Sequence, residues 1–161
     1  MHEHEQLIEA FYTGFKHSDA AAMVACYHPD IEFSDPVFPA LRGPRAKAMW
    51  AMLTQRRADP ADRTFSDVHA DARTGSAHWE AKYVFPGTGR KVHNKIDARF
   101  EFRDGLIRRH VDTFDFWKWS AMALGPVGTL LGWTPFLKAK VRKQVGTKLD
   151  EFIATHPTQG A

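Results

Sequence analysis

The sequence predicts an α+β domain in which a curved antiparallel sheet is covered by N-terminal helices and followed by an extra helical extension. Three observations point there. Apolar residues recur at helical spacing up to about Leu53 and at alternate positions from Thr64 to Phe116. After a Gly/Pro-rich break at Gly125-Pro126-Val127-Gly128, one more helical stripe begins. The 161 residues, 43% hydrophobic and 25% charged, suffice for one domain with a core that needs no cross-links.

Each element has a local reason. Leu7, Ile8, Phe11 and Phe15 share one face of a first helix. Ser18-Asp19 can cap a second, running from Ala20 to about Tyr27, which His28-Pro29-Asp30 ends. Ile31-Glu32-Phe33 alternates as a short strand, and Asp35-Pro36 breaks it. Gly43-Pro44 opens a third helix, where proline's missing N–H costs nothing, and Ala46, Met49, Trp50 and Leu53 give its buried face. Strands are then expected over residues 64–70, 76–85, 90–103 and 106–116, with hairpin turns at Pro86-Gly87-Thr88-Gly89 and Asp104-Gly105. Trp79, Ala81, Tyr83 and Phe85 share one face of the second strand; Val92, Asn94, Ile96, Ala98, Phe100 and Phe102 share one face of the third. In the extension, Thr134-Pro135 reads as a cap and first turn, followed by a stripe of Leu137, Val141, Val145, Leu149 and Phe152-Ile153. The expected division is a domain over residues 1–117 and an extension over 118–161, packed on the same domain or on a dimer partner.

Composition narrows the function classes. The single cysteine, Cys26, excludes an internal disulfide framework and is read as core filler, so the expected compartment is the cytoplasm. The start, Met1-His2-Glu3-His4-Glu5-Gln6, is polar and acidic, unlike a secretory or transit leader. No stretch approaches the roughly 20 apolar residues that cross a bilayer. Up to Trp117, 16 basic residues face 17 acidic ones; from Lys118 onward, six face two. The basic balance therefore belongs to the tail, and nucleic-acid binding, which wants a basic face on the folded body, is not expected.

The run Phe11-Tyr12 … Asp19 … Tyr27-His28-Pro29-Asp30-Ile31-Glu32-Phe33-Ser34-Asp35-Pro36-Val37 … Gly43, with Phe100-Glu101-Phe102-Arg103-Asp104-Gly105-Leu106-Ile107, resembles the nuclear transport factor 2-like superfamily. Within it the chain looks closest to the ketosteroid isomerase-like and SnoaL-like polyketide cyclase branches, over about residues 5 to 117. The resemblance implies a cone of sheet and helices, a ligand pocket inside the cone, and commonly a homodimer. It also implies that Asp35, in Ser34-Asp35-Pro36-Val37, stands where the isomerases carry their general base. The oxyanion side departs from that pattern. Phe11 falls where a hydrogen-bonding tyrosine belongs and Ala98 where a protonated aspartate belongs. Tyr12, one position off, is expected to point elsewhere.

Asp35 has two readings. A carboxylate in an apolar pocket is strengthened as a base by desolvation, but Asp-Pro can equally end a strand and cap its loop. On the fourth strand Arg108, His110, Asp112 and Phe114 alternate onto the face that the resemblance makes interior. There His110 and Asp112 are expected side by side, as an acid–base group and its orienter or as a closed buried network. Asn94 could donate to a developing oxyanion, and Trp50, Trp79 and Tyr83 would wall a pocket for a flat apolar ligand. No metal site is expected: His2-Glu3-His4-Glu5 lies at a terminus expected to fray, and His110-x-Asp112 with Asp35 lacks a second histidine.

Two functions remain open. One is a cofactor-free acid–base enzyme of isomerase, cyclase or dehydratase type, acting on a small hydrophobic carbonyl compound through Asp35, His110 and Asp112. The other is a non-catalytic ligand-binding or protein-interaction module of the same fold. An open pocket shared by Asp35 and His110 favours the first; a sealed, paired arrangement favours the second. Contact of the basic extension with a membrane surface is the lesser expectation for its stripe, burial against the domain or a partner the greater.

Overall fold

A computed structural model describes residues 1–156. Three helices come first: α1 (Glu3–Lys16), α2 (Ala20–Ala25) and, after strands β1 (Tyr27–Ser34) and β2 (Leu41–Arg42), α3 (Pro44–Leu53). The meander follows as β3 (Arg63–Ala70), β4 (Thr74–Val84), β5 (Lys91–Arg103) and β6 (Leu106–Thr113). Over its described residues the extension forms three helices: α4 (Phe116–Leu124), α5 (Pro126–Leu131) and α6 (Pro135–Thr155). All six strands form one sheet in the order β2-β1-β6-β5-β4-β3. Every pairing is antiparallel except β1 with β6, which run parallel.

Strand alternation decides which side chains enter the domain. Val92, Asn94, Ile96, Ala98 and Phe100 are buried on one face of β5, while Lys91, Lys95, Asp97 and Arg99 are exposed on the other. Trp79 and Ala81 of β4 lie opposite Ile96 and Asn94 and are buried with them. The helices close over this face with Ile8, Phe11, Tyr12, Met23, Ala46, Met49 and Trp50, each at most 1% exposed. Burial of a large apolar side chain contributes about 1.5–3 kcal/mol, so this helical lid is held chiefly by its aromatic and aliphatic stripe. Bulges between Tyr27 and Glu32, between Ser66 and His69, and at Glu101/Phe102 bend the sheet around that core.

Several expectations shift at element ends. The chain from Tyr27 to Ser34 is all strand, including His28-Pro29-Asp30, and α2 stops earlier. Pro29 is tolerated because the register slips between Tyr27 and Glu32, leaving a stretch with no ladder bond for proline to break. Leu53, expected in the buried face of α3, is 44% exposed at the helix end. β6 ends at Thr113, since the Asp115 carboxylate accepts from Lys118 N and caps α4, so Phe114 sits between the two elements. The expected division at residue 117 thus falls inside α4. The N-terminal His2-Glu3-His4-Glu5 is ordered: His2 and Glu5 form a capping box, and buried His4 stacks on Phe102 and bonds the Asp71 carbonyl.

The extension folds back on the domain. Leu137, Val141, Leu149 and Phe152 of α6 are buried, Arg45 of α3 pairs with Asp150 at 2.7 Å, and Arg142 Nε donates to the Pro36 carbonyl at 2.9 Å. α4 docks on the β4–β5 hairpin, where Arg90 Nε donates to the Met122 carbonyl and Thr88 Oγ1 to that of Ala123. Cys26 is buried, and burial pushes its thiol up to about 11, so it fills space and stays protonated.

Candidate active site in the cone

The parallel β1–β6 pairing assembles the site. Phe33 lies opposite His110 and Ser34 opposite Val111, so the next residue, Asp35, emerges from β1 level with Asp112. On the other side of β6, Phe100 lies opposite His110 and Ala98 opposite Asp112. Two carboxyl groups distant in sequence are thereby brought to one region of the sheet's inner side.

Asp35 is held by its own loop. Its Oδ1 accepts from Val37 N at 2.7 Å and Phe38 N at 2.6 Å, and its own N–H donates to the Phe38 carbonyl. Among the described residues no hydrogen bond reaches Oδ2, and the residue is half-buried. Burial pushes the Asp35 carboxyl up to about 7, and the Asp112 charge adds to this. The Phe38 and Val37 amides and the Arg142 guanidinium pull the other way, but desolvation outweighs them. The loop-cap reading of Asp35 is thus realised through Oδ1, while among the described residues nothing bonds Oδ2.

His110 and Asp112 are bonded to each other and buried, as in the closed network that was one of the two expected arrangements. It is 0% exposed with both ring nitrogens engaged, Nδ1 with the Tyr27 hydroxyl and Nε2 with Asp112 Oδ1, each at 2.8 Å. Trp50 Nε1 can only donate, and it donates to Tyr27 Oη at 2.8 Å. The arrangement that satisfies every donor therefore has Tyr27 O–H donating to Nδ1 and Nε2–H donating to Asp112. Trp79 Nε1 donates to the same Asp112 oxygen at 3.3 Å. A relay of buried groups thus runs from Trp50 through Tyr27 and His110 to Asp112, with all its anchors on one oxygen. Both ring nitrogens of His110 are thus taken up inside the protein, one by Tyr27 and one by Asp112.

What the relay leaves free marks the interior. Asp112 Oδ2 and the Tyr12 hydroxyl are buried without a hydrogen-bond partner among the described residues. Tyr12, expected to point elsewhere, is 1% exposed, and the Asp112 charge adds to the burial that raises its phenol well above the ordinary range. Its O–H is thus a permanent donor facing the inside. Asn94, buried opposite Ala81, also makes no side-chain hydrogen bond within the described residues. Tyr83 lies at the rim, 39% exposed, and its hydroxyl accepts from Trp119 Nε1 of α4 at 2.8 Å. Burial raises the Tyr83 phenol, and the Asp35 charge acts in the same direction, so the two share a neighbourhood.

The remaining expected pocket residues divide. Trp50 and Trp79 are interior and belong to the relay, while Phe114 is partly buried beside Trp119. Arg108 departs from the expected alternation. The bulge at Glu101/Phe102 puts Ile107 inside opposite Phe102, and Arg108 lies 3.7 Å from Glu32, a residue that projects outward beside Arg109. Sequence reasoning missed Tyr27, Trp119 and Arg142. Tyr27 was hidden by its place at a helix–strand junction, and the other two lie in the extension outside the stretch, residues 120–135, that was expected near the mouth of the pocket. A surface groove of about 810 Å³, lined by Glu5, Asp71, Arg99, Glu101 and Arg109, lies on the outer side of the sheet and holds none of these groups.

Comparison with known proteins bears on this architecture. The sequence profile of the SnoaL-like domain matches residues 8–110, more than half of the chain and inclusive of Asp35 and His110. The chain belongs to the SnoaL-like family. That places it in the nuclear transport factor 2-like superfamily, in agreement with the helices-then-meander order. Among solved structures, this SnoaL-like chain is similar to a Mycobacterium tuberculosis LEH-like epoxide hydrolase, with TM-score 0.60 and 19% identity over 80% of this chain and 95% of that one. It is also similar to a candidate polyketide cyclase from Silicibacter, with TM-score 0.59 and 17% identity over 73% and 93%. A candidate polyketide cyclase from Xanthomonas campestris gives TM-score 0.57 and 23% identity, again over 73% and 93%. At these identities the likeness is one of fold. No curated protein matches the chain.

Proposed function

We propose that this SnoaL-like protein is a cofactor-free acid–base enzyme that moves a proton on a small hydrophobic carbonyl compound, in an isomerisation, cyclisation or dehydration. The observation that carries this is Asp35: a carboxyl pushed up to about 7, braced through Oδ1 and free at Oδ2. A group that titrates near neutral pH can take a proton in one step and return it in the next. Asn94 supplies an amide donor for a developing enolate oxygen, and Asp112, steadied by His110 and Trp79, presents its second oxygen to the interior. The candidate cyclases of the same fold support this reaction class. The epoxide hydrolase supports a variant in which the two carboxyls act on a water.

A non-catalytic ligand-binding module draws on one observation, the complete enclosure of His110. Incubating the protein in D₂O with a panel of cyclic and aryl ketones and following α-hydrogen exchange by NMR separates the two. Exchange above the buffer rate that disappears in Asp35→Asn supports the enzyme. Ligand-induced shifts with exchange at the buffer rate support the module.

A further inference from the structure

The extension buries one apolar surface and exposes another. The stripe of α6 is covered, as Leu137, Val141, Leu149 and Phe152 are each at most 6% exposed. The turn between α4 and α6 has no such cover. Leu130 is 70% exposed, Trp133 65% and Phe136 73%, with Val127, Leu131 and Trp117 each exposed beyond 40%. Together they form one apolar tip.

The tip is a built feature and not a loose end. Trp117 Nε1 donates to the Thr129 carbonyl at 2.9 Å, tying α4 to α5, and Trp133 Nε1 donates to the Leu130 carbonyl at 2.9 Å. A side chain at Gly128 would strike the Ser120 backbone, so glycine is what lets α5 lie against α4. Thr134 caps α6 by accepting from Leu137 N, which holds Phe136 in the first turn of that helix. Large apolar side chains fixed outward in this way cost solubility unless something covers them.

Charge identifies the cover. Between Asp115 and Asp150 the sequence contains no acidic residue, while it contains Lys118, Lys138, Lys140, Arg142, Lys143 and Lys148. Lys118 is exposed next to Trp117, and Lys138 and Lys140 follow Phe136 within two turns of α6. Among the described residues no helix is long and apolar enough to cross a membrane. Exposed aromatic and aliphatic side chains in a stretch whose charges between Asp115 and Asp150 are all basic are the makings of a peripheral contact with anionic lipid.

We infer that the tip formed by Val127, Leu130, Leu131, Trp133 and Phe136 seats on the surface of an anionic membrane, with Lys118, Lys138 and Lys140 against the headgroups. The surface differs from the α6 stripe, which the domain itself covers. The inference does not rest on the chemistry at Asp35. It does give α4 a double place, since that helix joins the tip through Trp117 and the Tyr83 rim through Trp119.

The test uses the full chain with vesicles of phosphatidylglycerol mixed with phosphatidylcholine, and with vesicles of phosphatidylcholine alone. Co-sedimentation with the anionic vesicles, a blue shift of tryptophan emission and weakening by salt are expected. Leu130→Ser with Phe136→Ser should abolish sedimentation without lowering the thermal midpoint, because both side chains are already in solvent. Lys118→Gln and Lys140→Gln should each weaken binding about fivefold, from roughly 1 kcal/mol per basic residue at a charged surface. Failure to sediment with anionic vesicles, or equal sedimentation with both kinds, would overturn the inference. So would a wild-type dimer that becomes monomeric in the Leu130/Phe136 variant and ignores lipid, since a second copy would then be the cover. Ketone exchange at Asp35 is read separately and is unaffected by any of these outcomes.

Discussion

Asp35 and Asp112 stand level on the parallel strand pair, one leaving β1 just after the Ser34–Val111 pairing and the other buried in β6. They answer the question of a carboxylate's place in a core in opposite ways. Asp112 takes donors from His110 and Trp79 on its Oδ1 alone. Asp35 has only its own loop amides, and its titration is drawn up to about 7 by burial and then by its neighbour's charge.

Because the folded carboxyl of Asp35 binds its proton more tightly than the unfolded one, the group costs stability as pH rises. The loss begins near pH 4, where an unfolded aspartate ionises, and is complete above about 7. A shift of this size is on the order of 4 kcal/mol at full extent. Asp35→Asn should therefore leave stability near wild type at pH 4 and raise it above wild type at pH 8. Denaturant unfolding at the two pH values checks this. A variant that is less stable at both would mark the loop cap as the dominant role.

The same substitution should lower turnover by about 10²–10⁴-fold, the range for loss of a positioned acid–base group. In the wild type, with Asp35 acting as base, kcat/KM should rise with pH through about 7 and then level off. A flat profile between pH 5 and 8 would remove Asp35 from the chemical step.

His110→Ala should behave as a core lesion. It leaves the Tyr27 hydroxyl without its acceptor, removes one of the two donors to Asp112 Oδ1 and opens a cavity, for a cost of about 3–5 kcal/mol. Tyr27→Phe strands Trp50 Nε1–H and His110 Nδ1 and should cost about 1–3 kcal/mol. Thermal unfolding of both variants tests the order. If His110→Ala keeps wild-type stability but loses activity, His110 meets the ligand directly.

Arg142→Ala removes a positive charge that opposes the upward shift of Asp35, along with the bond to the Pro36 carbonyl. The midpoint of the pH–activity profile should move to higher pH while the fold persists. An unchanged midpoint would mean that α6 serves packing alone.

The order of elements was legible in the sequence because periodicity and turn chemistry agree: a helical stripe such as Ile8, Phe11 and Phe15, then strict alternation from Val92 to Phe100. The inward placement of Asn94, His110 and Asp112 followed from strand alternation together with the face that the family resemblance makes interior. Arg108 did not, since a bulge reverses the alternation just before it and nothing local announces a bulge. The role of His110 was also out of reach. Whether an imidazole faces a ligand or is closed off depends on Tyr27 and Trp50, which arrive from elsewhere in the chain. The expected test between enzyme and module asked whether Asp35 and His110 share an open pocket. The geometry divides it, sealing His110 and leaving one oxygen of Asp35 free.

The most direct test of the central claim is the pH titration of the Asp35 side-chain carboxyl by ¹³C NMR, with Asp35→Asn assigning the resonance. The account predicts an inflection near pH 7. An inflection near 4, where an ordinary aspartate titrates, would contradict it and leave Asp35 as the cap of its loop.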